Sequence, residues 1–324
     1  MRTALLLFAL FSCGCDAPPT EGRDPGDCSD QLDNDEDGAV DCEDSSCAGA
    51  PDCSGDDDDS SPIPERCEIA QVSAGGDHTC GVDTKGQIHC WGGDGHGQST
   101  PPPGGFRQVS SGTLYNCAVD LNGQAIVWGF QEQGHSTAPE VEFSEVSAGV
   151  EHVCGMDTEG TVHCWGDNGE GQSVPPAGTF TQVSSGWFHT CGIDDTAQVQ
   201  CWGYDTRGQS TTPPGSFQQV AAGKYHSCAI AEGGSVQCWG AHEEGQLEAP
   251  EGSFIQITAG LDHSCGIDTD NQVHCWGGNS EGQASAPEGS FTQVSAGNLH
   301  TCGITSDGCV RCWGNDEDGQ SSPR

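Results

Sequence analysis

Residues 72–106 read VSAGGDHTCGVDTKGQIHCWGGDGHGQSTPPPGGF, and this pattern recurs along the rest of the chain with a constant period of 37 residues. The equivalent apolar positions are Val72, Val109, Val146, Val183, Val220, Ile257 and Val294. Because the spacing never changes, the seven repeats contain no insertion or deletion. A constant period of this size predicts supersecondary units that stack, or close into a ring, around one shared core.

Each repeat has the pattern of a small antiparallel sheet. Apolar residues alternate with period two in short runs bounded by glycine, aspartate and proline, and helical periodicity is absent. Cys80 and Cys90 lie symmetrically about Lys85, so a hairpin with Gly86 in the left-handed conformation places them opposite each other. The sequence therefore predicts a disulfide bond across each such hairpin. The same pairs recur as Cys154 and Cys164, Cys191 and Cys201, Cys228 and Cys238, Cys265 and Cys275, and Cys302 and Cys312.

A small residue recurs beside the bulky His89 and Trp91 of the hairpin. Gly81 holds this place in the first unit, and every later unit has Gly or Ala there. A sheet with bulk next to such a small residue must be packed by neighbours on both faces, which predicts blades arranged around an axis. The tryptophans are predicted to fill the space between adjacent blades, at positions 91, 128, 165, 202, 239, 276 and 313.

The second unit departs from the pattern. Val127 replaces its second cysteine and Tyr115 replaces its histidine, which leaves Cys117 without a hairpin partner. Cys67 and Cys309 are also additional to the pattern, and they stand near the two ends of the repeat array. We predict a bond between them that fastens the first strand to the last blade.

The unit VSAGxxHTCGI...GxVxCWGxxxxGQxxxP resembles the repeat of the regulator of chromosome condensation family, and the resemblance covers residues 66–324. It implies an all-β fold, a seven-bladed β-propeller, and we expect four-stranded antiparallel blades. The compact unit is most similar to secreted bacterial members, including the propeller that inhibits β-lactamase by binding across one face. The paired cysteines are a departure from the family pattern that suits an exported protein.

One histidine recurs in nearly every unit, at positions 78, 152, 189, 226, 263 and 300. The series could indicate a metal or catalytic site. A hydrogen bond from each ring nitrogen to neighbouring backbone would produce the same pattern, and Tyr115 takes the place in the second unit without other disruption. We therefore expect the histidines to be structural.

The most divergent stretches of the repeat are predicted to share one face. In an antiparallel meander the first and third connections emerge at the same end, and these connections carry exposed aromatic residues. The alternative is that about half of these side chains tuck between blades. In the β-lactamase-inhibitory relatives the contacts come from this same face, as the resemblance implies. The predicted partner-binding residues are Leu114, Tyr115, Phe130, Trp187, Phe188, Tyr204, Lys224 and Tyr225.

Residues 1–15 have the pattern of a lipoprotein-type signal peptide. A positive start is followed by an apolar run too short to span a bilayer and by small residues. Residues 10–13 (LFSC) resemble a bacterial lipobox, which predicts lipidation of Cys13, with Cys15 as a poorer match and simple secretion as the alternative. The mature chain is then exported, as an outer-membrane or cell-surface lipoprotein or in secreted form. In that oxidising environment its 21 cysteines are expected to be mostly disulfides.

Residues 16–53 form an acidic, cysteine-rich module that contains a twelve-residue calcium-loop pattern. Gly38 permits the turn, and Asp44 stands where a longer glutamate is usual. The loop resembles those of thrombospondin type 3 repeats, and Cys28, Cys42, Cys47 and Cys53 bracket it, although an acidic segment can contain this motif by chance. We predict a structural Ca²⁺, and an extended acidic linker follows at residues 54–65. The predicted ligands are Asp33, Asp35, Asp37, Ala39 through its carbonyl, Asp41 and Asp44.

The net charge and the absence of catalytic motifs reduce the range of possible functions. The formal net charge of −40 argues against binding nucleic acid or anionic lipid and favours cations and basic protein surfaces. No motif of a nucleophile, metalloprotease or phosphate-binding loop is present, so we predict no enzymatic activity. The predicted function is an exported, lipid-anchored, monomeric scaffold that binds an extracellular or envelope protein, or a glycan. The alternatives are a guanine-nucleotide exchange regulator of a small GTPase, by family analogy, and a carbohydrate-active enzyme of the cell wall.

Overall fold

The computed structural model describes residues 67–130 and 137–323. The signal peptide with Cys13, the calcium loop, its four neighbouring cysteines and the acidic linker lie outside these ranges. Those features therefore stay sequence predictions. In the described part of the chain, no helix has the length and apolar character needed to cross a bilayer.

The repeats form seven antiparallel sheets of three strands each, which we call blades 1 to 7 in chain order. The first strands are β1 (Ile69–Ala74), β4 (Phe106–Ser111), β7 (Phe143–Ala148), β10 (Phe180–Ser185), β13 (Phe217–Ala222), β16 (Phe254–Ala259) and β19 (Phe291–Ala296). The second strands are β2 (His78–Asp83), β5 (Tyr115–Asp120), β8 (His152–Asp157), β11 (His189–Asp194), β14 (His226–Ala231), β17 (His263–Asp268) and β20 (His300–Thr305). The third strands are β3 (Ile88–Gly92), β6 (Ala125–Gly129), β9 (Val162–Gly166), β12 (Val199–Gly203), β15 (Val236–Gly240), β18 (Val273–Gly277) and β21 (Val310–Gly314).

The expected fourth strand is missing from the described blades. The segment that follows each third strand, such as residues 93–105, consists of turns and bends. Its prolines have no N–H group to donate to a strand partner. The segment instead packs on the next blade, where the carbonyl of Gln98 accepts a hydrogen bond from Trp128 Nε1 at 3.1 Å. Equivalent bonds in five further blades confirm that the tryptophans pack between adjacent repeats.

The hairpin register agrees with the prediction. Cys80 lies opposite Cys90 in the ladder, and Gly86 has a φ of 82°. All six predicted hairpin pairs are disulfide-bonded. In blade 2, Cys117 faces Val127, and Cys117 is a buried free thiol whose pKa is raised by burial.

The seven blades close into a ring, the arrangement of a seven-bladed β-propeller. Each first strand contacts the first strand of the next blade, and β19 contacts β1. The indole Nε1 of Trp91 donates to the carbonyl of Gln320 at 2.9 Å, which joins the start of the array to its end. A disulfide between Cys67 and Cys309 fastens the same junction, as predicted.

A ring of side-chain amides links the first strands. Gln71 shows the pattern, because its Oε1 accepts from Val109 N at 2.9 Å and its Nε2 donates to Val109 O at 2.8 Å. The amide thus replaces a strand partner between blades that have no shared ladder. Glu145 holds the equivalent position in blade 3, where its Oε1 accepts from Val183 N at 2.8 Å. Burial raises the pKa of Glu145, and an ionised carboxylate has no proton to give to the Val183 carbonyl.

Replacing Glu145 with Gln is expected to stabilise the propeller at neutral pH. The Nε2 group of the glutamine restores the second hydrogen bond to the next blade. The substitution also removes a charge from the ring of side chains that links the first strands. A hydrogen bond of this kind contributes about 1 kcal/mol, and an unmet buried group costs about 1–3 kcal/mol. Urea denaturation at pH 7 measures the change in the free energy of unfolding.

The pH dependence of the gain in stability shows whether it comes from removing the carboxylate of Glu145 or from an effect that is unrelated to charge. Because the pKa of Glu145 is raised on folding, ionisation costs stability as the pH rises and costs nothing below the unfolded pKa. The advantage of the Gln variant should therefore shrink on acidification. The reverse change, Gln182→Glu in the next blade, should destabilise the protein at pH 7, and a stabilising effect there would contradict this explanation.

Candidate binding face

The first and third connections of every blade lie side by side at one end of the propeller. In blade 4 the amide of Tyr204 donates to the carbonyl of Phe188 at 2.9 Å. All seven blades have this bond, at 2.7–2.9 Å. We call this end the loop face. It comprises the connections that begin at residues 75, 112, 149, 186, 223, 260 and 297, together with residues 93–97, 130, 167–171, 204–208, 241–245, 278–282 and 315–319.

A ring of glycines holds the loop face at the axis. A Cβ atom on Gly260 would lie 2.2 Å from the carbonyl oxygen of Gly297, and the other six positions give 2.3–2.6 Å. These distances are too short for any side chain. The main chains of the seven glycines therefore approach each other closely and surround a small axial pocket of about 70 Å³.

The recurring histidines link neighbouring blades beneath this ring. His226 Nε2 lies 2.8 Å from Ser264 Oγ of the next blade, and the other five rings make the same contact with Thr, Ser or Asn side chains at 2.8 Å. The histidines are thus structural as expected, although their partners are side chains and not backbone groups.

Hydrogen bonding identifies the tautomer of five of the six rings. The hydroxyl of Thr301 donates to the carbonyl of Gln283 at 2.9 Å, so its oxygen accepts a hydrogen bond from the Nε2–H group of His263. The partners of His78, His152, His189 and His300 are fixed as acceptors in the same way, so these four rings and that of His263 carry their proton on Nε2. The Nδ1 atoms of all six rings have no partner in the described structure. Burial lowers the pKa to about 4 or about 3 in all six, which keeps the rings neutral.

Five predicted partner-binding residues meet on blades 4 and 5. The ring of Phe188 lies 6.0 Å from Trp187, 6.3 Å from Tyr204 and 6.4 Å from Tyr225, as measured between centroids. The Tyr204 and Tyr225 rings are 6.0 Å apart. Lys224 Nζ lies 4.7 Å from the Trp187 centroid and 5.1 Å from that of Tyr225. We call these five residues the aromatic patch.

The aromatic patch is ordered by its own contacts. Edge-to-face ring pairs and the ammonium group above two ring faces each contribute about 0.5–1.5 kcal/mol. All five side chains are nevertheless partly exposed. The patch therefore presents large apolar surfaces whose conformations are already restricted before any partner arrives.

The three predicted residues of blade 2 do not join the patch. Tyr115 was wrongly expected to be exposed: it is fully buried, and its hydroxyl donates to the His152 carbonyl at 2.7 Å. It occupies the histidine position, whose side chain points into the interface between blades. Leu114 and Phe130 are half-buried on the loop face, and the Phe130 ring contacts His96 at 5.0 Å between centroids.

The pairing of charged groups beside the patch was not predicted from the sequence. Arg207 forms an ion pair with Glu243 of the next blade, and the pKa of Asp262 is raised by burial and influenced by Lys224, Glu244 and Glu243. The loop parity placed these residues on the correct face, but pairing across blades depends on the ring geometry. Among the described residues, no group of three or more His, Cys, Asp or Glu side chains could hold a metal ion.

Several solved structures have a similar fold. The ectodomain of the receptor kinase CR4 from Physcomitrella patens is 25% identical with a TM-score of 0.66, over 76% of this chain and 74% of that one. The CRINKLY WD40 ectodomain of the Arabidopsis thaliana receptor kinase ACR4 is 26% identical with a TM-score of 0.65, over 76% and 97%. Prp20p from Saccharomyces cerevisiae is 16% identical with a TM-score of 0.63, over 78% and 84%, which shows the fold alone.

No curated protein matches this chain by sequence. The family described as the regulator of chromosome condensation (RCC1) repeat matches six segments, which together make up more than half of the chain: residues 69–98, 143–172, 180–209, 217–246, 254–283 and 291–320. The second unit, which has Tyr115 and Val127 in place of the usual histidine and cysteine, is not matched. With its seven repeats closed into a ring, this chain belongs to the RCC1 repeat family.

Proposed function

We propose that this propeller is a non-enzymatic scaffold that binds an extracellular protein through the aromatic patch on its loop face. One observation carries the proposal: four aromatic rings and a lysine from two adjacent blades converge at the most divergent loops of an otherwise uniform array. The position of Trp187 is held in the other blades by residues none of which is aromatic: Gly76, Thr113, Val150, Lys224, Leu261 and Asn298.

The composition of the patch suits a protein partner. Tryptophan and tyrosine dominate the energetics of protein interfaces, because they bury large areas with few rotatable bonds. Contacts within the patch further reduce the conformational entropy lost on binding. Charged side chains such as Asp205, Arg207 and Asp262 lie on the same loop or on the next blade, which is the composition typical of the edge of interfaces between proteins that also exist separately.

The disulfides support a location outside the cytoplasm. Six hairpin bonds and the ring-closing bond between Cys67 and Cys309 would not persist in a reducing compartment. This agrees with the proposed export signal and with lipidation at Cys13. It also favours the scaffold over guanine-nucleotide exchange, since small GTPases are cytoplasmic. The Ca²⁺ loop at residues 33–44 is proposed as a structural module between anchor and propeller.

Removing two anchors should abolish retention of the partner. We expect that the variant with Trp187→Ala and Tyr225→Ala binds an envelope protein at least about 100-fold more weakly than the native chain, since two hot spots contribute about 2 kcal/mol each. Immobilised protein incubated with envelope extract, followed by mass spectrometry and a binding titration of the identified partner, measures this loss.

The matched control uses the same loop positions on other blades. Leu261→Ala with Leu299→Ala also truncates two partly exposed side chains of the loop face, but outside the patch. This variant should retain the partner. If both double variants retain it equally, the aromatic patch is not the binding site.

A further inference from the structure

The loop face carries far more negative than positive charge. Its described residues include only two basic groups, Lys224 and Arg207. The carboxylates number thirteen: Asp77, Asp94, Glu151, Asp167, Glu170, Asp205, Glu243, Glu244, Asp262, Glu281, Asp316, Glu317 and Asp318. A surface with this imbalance has a strongly negative potential, which attracts cations at long range.

Both basic groups of the face are already engaged within the chain. Arg207 is paired with Glu243. The Lys224 ammonium lies over the rings of Trp187 and Tyr225, at 4.7 and 5.1 Å from their centroids. Neither offers an uncommitted positive charge to an acidic partner. The position of Lys224 also shows that the rings of the patch accept a cation at their faces.

Carboxylates lie on the loop-face connections of the blades on both sides of the patch, and those of blades 5 and 6 repel one another. Glu151 lies on the first connection of blade 3, before the patch, and Asp262 lies on the first connection of blade 6, after it. The pKa of Asp262 is raised by burial and by the charges of Glu244 and Glu243, against the opposing effect of Lys224. A cation placed here would relieve the repulsion among the three carboxylates.

We infer that the partner is a basic protein surface, whose arginine or lysine side chains reach Glu151, Glu244 and Asp262 while its apolar atoms pack on the aromatic patch. This inference rests on the proposed function and adds the chemistry of the partner. Arginine is the better fit, because a guanidinium both stacks on aromatic faces and pairs with carboxylates. Charge complementarity of this kind accelerates encounter and excludes acidic competitors.

Two variants with equal net charge test the inference. The loop-face variant carries Glu151→Gln, Glu244→Gln and Asp262→Asn. The control carries Glu159→Gln, Asp195→Asn and Glu232→Gln, three exposed carboxylates on the second connections of blades 3, 4 and 5, at the opposite end of the sheets. Thermal unfolding of both variants verifies that they are folded.

The probes are fluorescent octa-arginine and octa-glutamate peptides, titrated by anisotropy at low and physiological salt. We expect octa-arginine to bind the native chain and to bind the loop-face variant about tenfold more weakly, because three exposed ion pairs contribute roughly 0.5 kcal/mol each. The control variant should lose less than about twofold, since distant exposed charges are screened. Equal losses in the two variants, no loss in either, or binding of octa-glutamate would overturn the inference.

The partner identified with the aromatic variants separates this inference from the proposed function. If that partner needs Trp187 and Tyr225 but is unaffected by the loop-face variant and by salt, the patch is the site and the basic-surface inference is wrong. The basic-surface inference is also wrong if a glycan, for example a chitin oligosaccharide, competes with the partner for the patch and octa-arginine does not. A partner that is lost in the loop-face variant and retained in the control supports both statements.

Discussion

Lowering the pH from 7 to 4 is expected to unfold the propeller cooperatively, because its six buried histidines must stay neutral in the folded state. Burial lowers their pKa to about 4 for His78, His152 and His226, and to about 3 for His189, His263 and His300. The unfolded chain protonates the same groups near pH 6.5. Between these values the unfolded state binds more protons, so stability falls as the pH falls.

The size of this effect follows from the number of rings. A histidine held neutral at pH 4 costs roughly 3 kcal/mol relative to the unfolded state. Six such groups together exceed the 5–15 kcal/mol that is typical of domain stability. The carboxyl groups of Asp77, Glu145 and Asp262 act in the opposite direction, because their pKa is raised, chiefly by burial. These three carboxyl groups offset only part of the loss of stability that the six histidines cause on acidification.

Denaturation at a series of pH values between 7.5 and 4 measures how the free energy of unfolding changes with pH. Calorimetry in buffers of different ionisation enthalpy counts the protons that the chain takes up on unfolding. The chain provides its own control residue, since Tyr115 replaces the histidine in blade 2. The variant His226→Tyr should therefore remain folded at pH 7 and take up about one proton fewer on unfolding at pH 5. A native protein whose stability does not change between pH 7 and pH 5 would contradict the role assigned to these rings.

Opening the ring-closing disulfide should cost about twice as much as opening one hairpin disulfide. The bond between Cys67 and Cys309 spans 242 positions, whereas each hairpin bond spans 10. In the chain-entropy model this difference corresponds to about 5 kcal/mol against about 2.5–3 kcal/mol. The physical reason is that the local bonds restrict short loops of the unfolded chain, while the terminal bond restricts nearly the whole repeat array.

The comparison requires variants that change only the bond. Cys67→Ser with Cys309→Ser removes the terminal bond at an accessible position. Cys238→Val removes one hairpin bond and reproduces the Cys117 and Val127 pair that blade 2 already tolerates. Urea denaturation under non-reducing conditions gives both losses in the free energy of unfolding. A smaller loss for the terminal pair than for the hairpin would show that noncovalent contacts between blades 1 and 7 govern closure.

Much of the fold could be predicted because each repeat encodes its own hairpin. The placement of Cys80 and Cys90 about Lys85 determined the register of the hairpin, which recurs with its cysteine pair in six of the seven units, and the seven repeats predicted the ring. Loop parity also placed the first and third connections together. These inferences need only the alternation of side chains along strands and the geometry of one turn, both of which are local properties.

The errors arose where contacts depend on the neighbouring blade. Tyr115 reads as an exposed aromatic residue, yet it fills the histidine position between blades, and a single unit does not show which way that side chain points. The amide ring that includes Gln71 and Glu145 was not predicted, since glutamine in a strand resembles any polar surface residue. The expected fourth strand was replaced by a segment that bonds to the next blade through the carbonyl of Gln98.

The main-chain hydrogen bond between the first and third connections joins the two loops of each blade into one structural unit. The Phe188 carbonyl and the Tyr204 amide bond to one another in the same way as the Asp262 carbonyl and the Gly278 amide two blades away. Since the strand lengths and the spacing are the same in all seven blades, a loop pair moved to another blade would be supported by an equivalent frame. The propeller therefore offers seven equivalent positions for loop pairs. Exchanging loop pairs among these positions would change the surface of the loop face while the strands beneath it stay the same.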